Sequence, residues 1–159
     1  MFQTGKEKLS MTSLPVSGEQ ELRDLKAFLK LNKLPFEDIC LDGNQFFLYY
    51  LGGTLVGCGG LEYHGDHALL RSLAVAEHLR EKHYGVEIAK DLIERARCKS
   101  LWSVSLLTET APVFFEKLGF RKVARDSAPK EIKASSEFSS VCPVSAVFMS
   151  IDLANKTVL

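Results

Sequence analysis

The residues best suited to chemistry lie between Glu62 and Phe120. Arg80-Glu81-Lys82-His83-Tyr84-Gly85 is a short basic loop that opens into a helical stretch. The start of a helix has backbone N–H groups without intrahelical acceptors and carries partial positive charge. Behind a strand, and beside Arg80, Lys82 and His83, such an end suits a phosphorylated ligand; the alternative is an ordinary charged strand-to-helix connection. Arg71 and Ser72 interrupt the apolar run Leu69-Leu70-Arg71-Ser72-Leu73. A charge in a central strand is rarely left unpaired. Arg71 therefore either pairs with a neighbouring element or uses its planar fork on a carboxylate, phosphonate or similar oxyanion. His64 and His67 have a spacing that holds a metal on a helix, but they sit in a turn with no further ligand cluster, so no metal site is expected. Cys40, Cys58, Cys98 and Cys142 show no CxxC or zinc-ribbon spacing. They are expected to be free thiols, two or three of them buried.

The elements that must position these residues are readable in part. Met11 to Val16 predicts a first strand. Ser17 followed by Gln20 has the spacing of a capping box, and the helix behind it carries Leu22, Leu25, Phe28 and Leu29 on one face. Lys33 to Asn44, with Pro35 and Gly43, reads as a loop or a broken second helix. Gln45 to Leu51 and Thr54 to Leu61 flank Gly52-Gly53, a hairpin signal because tight turns need positive φ. Gly57, Gly59 and Gly60 point to a bulge or a close backbone approach in the second of these strands. Ala68 to Ala76 is the next strand. Gly85 to Lys99 follows as a helix, with Ala89, Leu92, Ile93 and Ala96 as its buried stripe and the pairs Asp91/Arg95 and Glu94/Arg97 on its wet side. Leu101 to Thr108 is a strand. Thr110 is placed to cap a short helix that holds Pro112 in its first turn and ends at Gly119. Phe120 to Arg125 and Val144 to Leu153 read as closing strands, with helical character in Pro129 to Val141. The order predicts an α/β chain with a mixed sheet of six to seven strands, antiparallel first and partly parallel later, flanked by helices.

The loop and the run Phe115-Glu116-Lys117-Leu118-Gly119-Phe120 resemble two signatures of the GNAT superfamily of N-acetyltransferases. One is a pyrophosphate loop, Arg/Gln-x-x-Gly-x-Gly/Ala, in which Arg80 and Gly85 fit and His83 stands at the first glycine. The other is Tyr-Glu-x-Leu-Gly-Phe, with Phe115 in place of tyrosine. The resemblance runs over roughly residues 10–153 and implies the acyl-CoA N-acyltransferase fold, whose two central parallel strands, here 68–76 and 101–108, splay apart to admit the pantetheine arm. It implies acetyl-CoA as acyl donor. Backbone groups of Leu73, Ala74 and Val75 would meet the pantetheine. Arg80, Glu81, Lys82, His83, Tyr84, Gly85 and Val86 would cradle the pyrophosphate, with Thr110, Phe114 and Phe115 along the cofactor. The backbone N–H near Leu73 would polarise the acetyl carbonyl.

Phenylalanine at 115 cannot donate the proton that many members supply from tyrosine to the departing thiolate. Another group or water serves, or the thiolate leaves unassisted, since a thiol is fairly acidic, or catalysis is lost. Glu62 and Ser72 are the candidate catalytic residues, with His64 and Glu109 further candidates for the base that an amine acceptor needs. Arg71, Thr108 and Glu109 are the candidate acceptor-binding residues. Leu69 to Ser72, Leu106 to Ala111, Pro129 to Phe138 and Cys142 to Ala146 also resemble acetyltransferases of arsenic-resistance gene clusters. That implies a small, anionic, amino-acid-like acceptor and raises the question of an arsenical at Cys142.

Across its 159 residues, 46% hydrophobic and 25% charged with a formal net charge of zero, the chain has ordinary globular composition. One domain over residues 10–153, with tails at 1–9 and 154–159, is the simplest division. Zero net charge gives no reason to expect nucleic acid or an anionic membrane as partner. No run approaches the roughly 20 apolar residues of a membrane span, and the first ten residues have no signal-type apolar core, so a cytoplasmic location is expected; monomer and homodimer are both left open. The alternative to a direct-transfer N-acetyltransferase is a CoA-binding module acting as sensor or scaffold. A nucleotide-binding domain without CoA is a third reading, disfavoured because GxGxxG and GxxxxGK[ST] are absent.

Overall fold

Alternating apolar residues, hairpin glycines and two amphipathic helices build one seven-stranded sheet with helices on both faces. The computed structural model describes residues 10–141 and 143–153. The expected tails, 1–9 and 154–159, and Cys142 lie outside the described residues. In chain order the elements are β1 Met11–Pro15, α1 Glu19–Leu31, β2 Asn44–Leu51, β3 Thr54–His64, β4 His67–Val75, α2 Tyr84–Cys98, β5 Ser103–Thr108, α3 Pro112–Lys117, β6 Arg121–Lys122, α4 Lys130–Lys133 and β7 Val147–Asp152, with a π-helical turn at Glu137–Val141 before β7. The sheet order is β1-β2-β3-β4-β5-β7-β6. Every pairing is antiparallel except β4 with β5. No helix among the described residues is long and apolar enough to cross a membrane.

The β2–β3 turn uses Gly52 and Gly53 at φ +53° and +84°, values that glycine reaches without steric cost. Gly57 and Gly59 serve a close approach. A Cβ on either would fall 2.6 Å from Ile88 Cδ1 or 2.7 Å from Leu92 Cδ1 of α2. Bare backbone at these positions lets α2 lie directly on β3. Ile88, Ala89, Leu92, Ile93 and Ala96 are buried there, the expected stripe with one residue added. They pack with Phe47, Leu61, Leu70, Leu106 and Phe115 into the main core. A second core joins Leu25, Phe28 and Leu29 of α1 to Phe46, Leu48, Cys58 and Ala74. A third, smaller one holds Leu69, Ala128, Ile132 and Phe148. Each fully buried leucine or phenylalanine contributes about 1.5–3 kcal/mol.

Three local expectations change. The α1 cap sits one residue later than the Ser17/Gln20 spacing implied: Gly18 is the N-cap, and its N–H donates to Glu21 Oε1 at 2.7 Å. Glycine has no side-chain oxygen, so only the glutamate half of the box forms. Thr110 does not cap α3. Thr108 Oγ1 instead accepts from the Ala111 N–H at 3.0 Å, because Ala111 is the residue that precedes the helix. The closing strand expected over Phe120 to Arg125 is only Arg121–Lys122, followed by a 3-10 turn at Arg125–Ser127. Of the two readings of Lys33 to Asn44 the loop is the one present: the chain turns at Lys33, φ +63°, and runs on to β2. Of the described cysteines Cys58 is buried, while Cys40 and Cys98 are exposed. Burial pushes the Cys58 thiol up to about 12, which makes it an inert core group.

Candidate active site

The parallel ladder between β4 and β5 joins His67, Ala68 and Leu69 to Ser103, Val104 and Ser105 and stops there. Beyond Leu69 the two strands part, while β5 stays paired with β7 along its whole length. On its other edge β4 changes register against β3: Cys58 faces Ala74 and Gly60 faces Arg71, so Ser72 and Leu73 together oppose Gly59. That is a β-bulge. Ser72 adopts φ +62° within it, a strained position for a non-glycine residue, and its carbonyl accepts a 3.2 Å contact from the Cys58 thiol. The bulge sits beside the opening between the strands, and Leu73 and Val75 pack on the main core there.

β4 leads through the turn at Glu77–Leu79 to the basic loop and α2. Glu81 and His83 both take positive φ, +69° and +70°, and His83 is the N-cap. The left-handed conformation that a glycine would supply is thus adopted by histidine. Arg80 is anchored rather than free-swinging. Its Nε donates to the Val75 carbonyl at 3.1 Å and its Nη2 to Asn32 Oδ1 at 2.6 Å. Lys82 and His83 are exposed. Gly85, in the first turn of α2, faces Phe114: a Cβ there would lie 3.4 Å from its ring and 3.7 Å from Val75. Arg80, Val75, Gly85 and Phe114 are therefore neighbours, and with the bulge and the gap they outline the trough that a bound cofactor would follow. Thr110 and Glu109 are exposed at its β5 end. Phe115 turns inward. That ring is 7% exposed and packs edge-on against Phe114 and Phe120, at centroid distances of 4.9 and 5.6 Å.

Between the second and third cores lies a buried charged cluster built on Arg71. Its side chain is fully buried. Nη1 and Nη2 grip Asp38 at 2.6 and 2.8 Å, and Nη1 also meets Glu62 Oε2 at 2.9 Å. Nε contacts Ser72 Oγ at 3.0 Å and Glu137 Oε2 at 3.2 Å. The guanidinium lies over the Phe46 ring. His64 Nε2 meets the other Glu62 oxygen at 3.1 Å, and Ser136 Oγ donates to Asp38 at 3.0 Å. Of the two readings of Arg71, the salt bridge is the one present. Of the sequence candidates, Glu62, His64, Arg71 and Ser72 come together here, and Thr108 and Glu109 stand apart at the end of β5. His67, across the ladder from His64, engages Ser103 Oγ at 2.7 Å and the Trp102 ring instead.

The cluster sets one guanidinium against three carboxylates. The Arg71 hydrogen bond, against burial, holds Asp38 below its ordinary value. Burial works to raise Glu62, but His64 and Arg71 outweigh it and hold that carboxyl low. Glu137 goes the other way. Burial, with Glu62 and Asp38 adding to it against Arg71, pushes it up to about 7. Asp38, Ser136 and Glu137 were not legible as site residues. The only signal was Arg71 itself, a strand charge that demanded partners.

A cavity of about 450 Å³ lined by His67, Trp102, Arg121 and Phe148 lies at the other end of β4, away from the trough and the cluster.

A family profile described as "Acetyltransferase (GNAT) domain" matches residues 42–122, just over half of the chain. No curated protein sequence matches it. Among solved structures, N-acetylglutamate synthase from Neisseria gonorrhoeae, complexed with coenzyme A and N-acetyl-glutamate, aligns with TM-score 0.73 and 15% identity over 94% of this chain, which spans only 36% of that one. Rv2747 from Mycobacterium tuberculosis, in complex with CoA, aligns with TM-score 0.71 and 21% identity over 90% of this chain and 99% of its own. The ribosomal-protein-S18-alanine N-acetyltransferase from Escherichia coli gives TM-score 0.69 and 14% identity over 94% and 96%. At these identities the likeness is one of fold. With the profile match covering the bulge, the parting strands and the basic loop, the chain belongs to the GNAT acetyltransferase family.

Proposed function

We propose that the protein is an acetyl-CoA-dependent N-acetyltransferase that passes the acetyl group directly to a small, amino-acid-like amine while both substrates are bound, from a single domain over residues 10–153. The observation that carries this is the end of the β4–β5 ladder at Leu69, placed beside the Ser72 bulge and leading to the α2 N-terminus. CoA in two of the aligned structures supports the same reading.

The residues present fit such a cofactor. The first turn of α2 presents backbone N–H groups toward a phosphate, with Gly85 keeping the floor low and His83 and Lys82 at the rim. Backbone groups of Leu73, Ala74 and Val75, at the stretch where β4 has left β5, would meet the pantetheine. Bound acetyl-CoA supplies the thioester. The backbone N–H near Leu73, at the bulge, would polarise the acetyl carbonyl, as an oxyanion site does. No side chain carries the acetyl group.

The acceptor is read from the cluster. One guanidinium and three carboxylates offer partners to both a carboxylate and an ammonium group. A carboxylate reaches Arg71 by displacing one of its present partners. The finer resemblance to acetyltransferases of arsenic-resistance clusters supports this acceptor, because Pro129 to Phe138, one of the stretches that carries it, delivers Glu137 to Arg71 and Ser136 to Asp38.

One observation favours a second reading, a CoA-binding module without turnover: Phe115 is a core ring and offers no proton donor. Calorimetry with acetyl-CoA, using Arg80→Ala/Gly85→Glu as control, tests cofactor binding. A screen of amino acids and their phosphonate and arsenical analogues, followed by loss of thioester absorbance, then separates the two. Binding without turnover of any amine would favour the module, and no binding by folded protein would remove both.

A further inference from the structure

We infer that Glu137, delivered by the C-terminal segment, takes the proton from the acceptor's ammonium group. This deepens the N-acetyltransferase reading above and rests on it.

Three carboxylates meet at Arg71, and two are committed. Both oxygens of Asp38 lie on the guanidinium fork, and Ser136 adds a hydrogen bond. Glu62, the base expected from sequence, has one oxygen on Arg71 and the other on His64. Their pairing holds both carboxyls low, so neither is a good proton acceptor near neutrality. Glu137 is 5% exposed and meets Arg71 Nε at 3.2 Å. That same nitrogen lies 3.0 Å from Ser72 Oγ. The Glu137 carboxyl is therefore one guanidinium nitrogen away from the bulge, on the face of β4 that carries the charged cluster.

The charged groups facing Glu137 are Arg71 from β4, Glu62 with its partner His64 from β3, and Asp38 from the loop before β2. They leave a surplus of negative charge, which attracts an ammonium and resists the ionisation of Glu137. A base serves best when its value lies near the working pH, and Glu137 sits at about 7.

The step balances as follows. The ammonium gives one proton to the Glu137 carboxylate and becomes a neutral amine. Its nitrogen forms the new bond to the acetyl carbon as the carbon–sulfur bond breaks, and the electron pair leaves with the thiolate. The second nitrogen proton neutralises that thiolate, and Glu137 returns its proton to solvent.

Two measurements on the full chain test this. Glutamate carboxyl carbons are titrated by NMR in wild type, Glu137→Gln and Glu62→Gln. One carboxyl should titrate near neutrality, vanish in Glu137→Gln and persist in Glu62→Gln. A Glu137 that titrates in the ordinary carboxylate range would overturn the assignment whatever the acceptor. Thioester loss from acetyl-CoA is then followed from about pH 5 to 9 with the common amino acids as probe amines. Absorbance is the right readout, because the exposed thiols of Cys40 and Cys98 would react with thiol dyes. Glu137→Gln should lower kcat/KM by about 100-fold or more and abolish the acidic limb of the profile, leaving acetyl-CoA affinity unchanged. A slower variant with the limb intact would make Glu137 structural and sink only this inference. Wild type that binds acetyl-CoA and turns over none of the probes would sink the transferase reading, and this one with it.

Discussion

Replacing Glu137 with glutamine keeps the size of a buried side chain and removes its charge, so the effect on stability is a direct measure of the cluster's surplus. The Glu137 carboxyl rises from an ordinary 4.5 to about 7. A folded-state value above the unfolded one means that the folded protein holds more protons between these limits. The stabilisation is complete below about pH 4.5 and is lost as pH rises through 7. Each unit is about 1.4 kcal/mol, so wild type should lose about 3 kcal/mol from this group between pH 5 and 8. Asp38 and Glu62 have the opposite sign. Their values are lowered, so their contribution is full above their unfolded values, is lost as pH falls, and stays nearly constant in this window. Urea unfolding of both proteins at four pH values across the window reads the difference. The stability of Glu137→Gln relative to wild type should climb by about 3 kcal/mol, a large share of a typical domain's 5–15. Parallel curves would refute the reasoning, since they would mean that Glu137 ionises in the folded protein as easily as in the unfolded chain.

Arg71→Met should cost about 3–5 kcal/mol at neutral pH, because two buried carboxylates and the half-buried Asp38 lose the guanidinium they share. Arg71→Lys should recover little, since an ammonium cannot grip both Asp38 oxygens; unfolding curves for the pair check both statements, and a stable Met variant would contradict them. Gly85→Glu puts a bulky anion against Phe114 at the head of α2, and calorimetry should show acetyl-CoA affinity down about tenfold or more with unchanged circular dichroism. Phe115→Tyr should lower stability by about 1–3 kcal/mol, because the new hydroxyl enters the Phe114/Phe120 cluster without a partner. It should not raise thioester turnover, and a faster variant would show that the ring does reach the trough.

What the sequence made legible follows the range of the forces involved. The α2 stripe, the Gly52-Gly53 hairpin, the Pro112 start and the Gly119 end depend on neighbours a few residues apart, and all appear as expected. One irregularity was legible: three glycines announced it in β3, where Val56 is an extra residue against Tyr49 and Tyr50 of β2; the second bulge, at Ser72 on the facing strand, no local pattern marks. Ser17 looked like a cap, yet the reciprocal hydrogen bond that places the α1 start comes from Glu21. Least legible was the charged cluster. Asp38 and Ser136 are joined by a hydrogen bond across 98 positions, and Glu62 and Arg71 come from adjacent strands. Arg71 demanded a carboxylate, but nothing in the order of the 20 acidic residues singles out the three that answer.

The two departures from the family signatures lie on either side of the contact between Gly85 and Phe114. At His83 the backbone takes φ +70°, the geometry a glycine would have given, at a cost of about 1–3 kcal/mol. The loop is therefore strained rather than closed, and its exposed imidazole adds a donor at the rim. At Phe115 the ring completes an edge-to-face triad with Phe114 and Phe120. Phe114 in turn sets the wall against Gly85. Losing the tyrosine hydroxyl removes a proton donor for a leaving group that needs one least, since a thiol with a value near 8.5 departs readily as thiolate. The acceptor's proton is the larger obstacle, because an ammonium cannot attack at all. On the proposed reading, proton handling thus falls to the acceptor side of the sheet, where Arg71 gathers three carboxylates and leaves one of them, Glu137, poised to change charge near neutral pH.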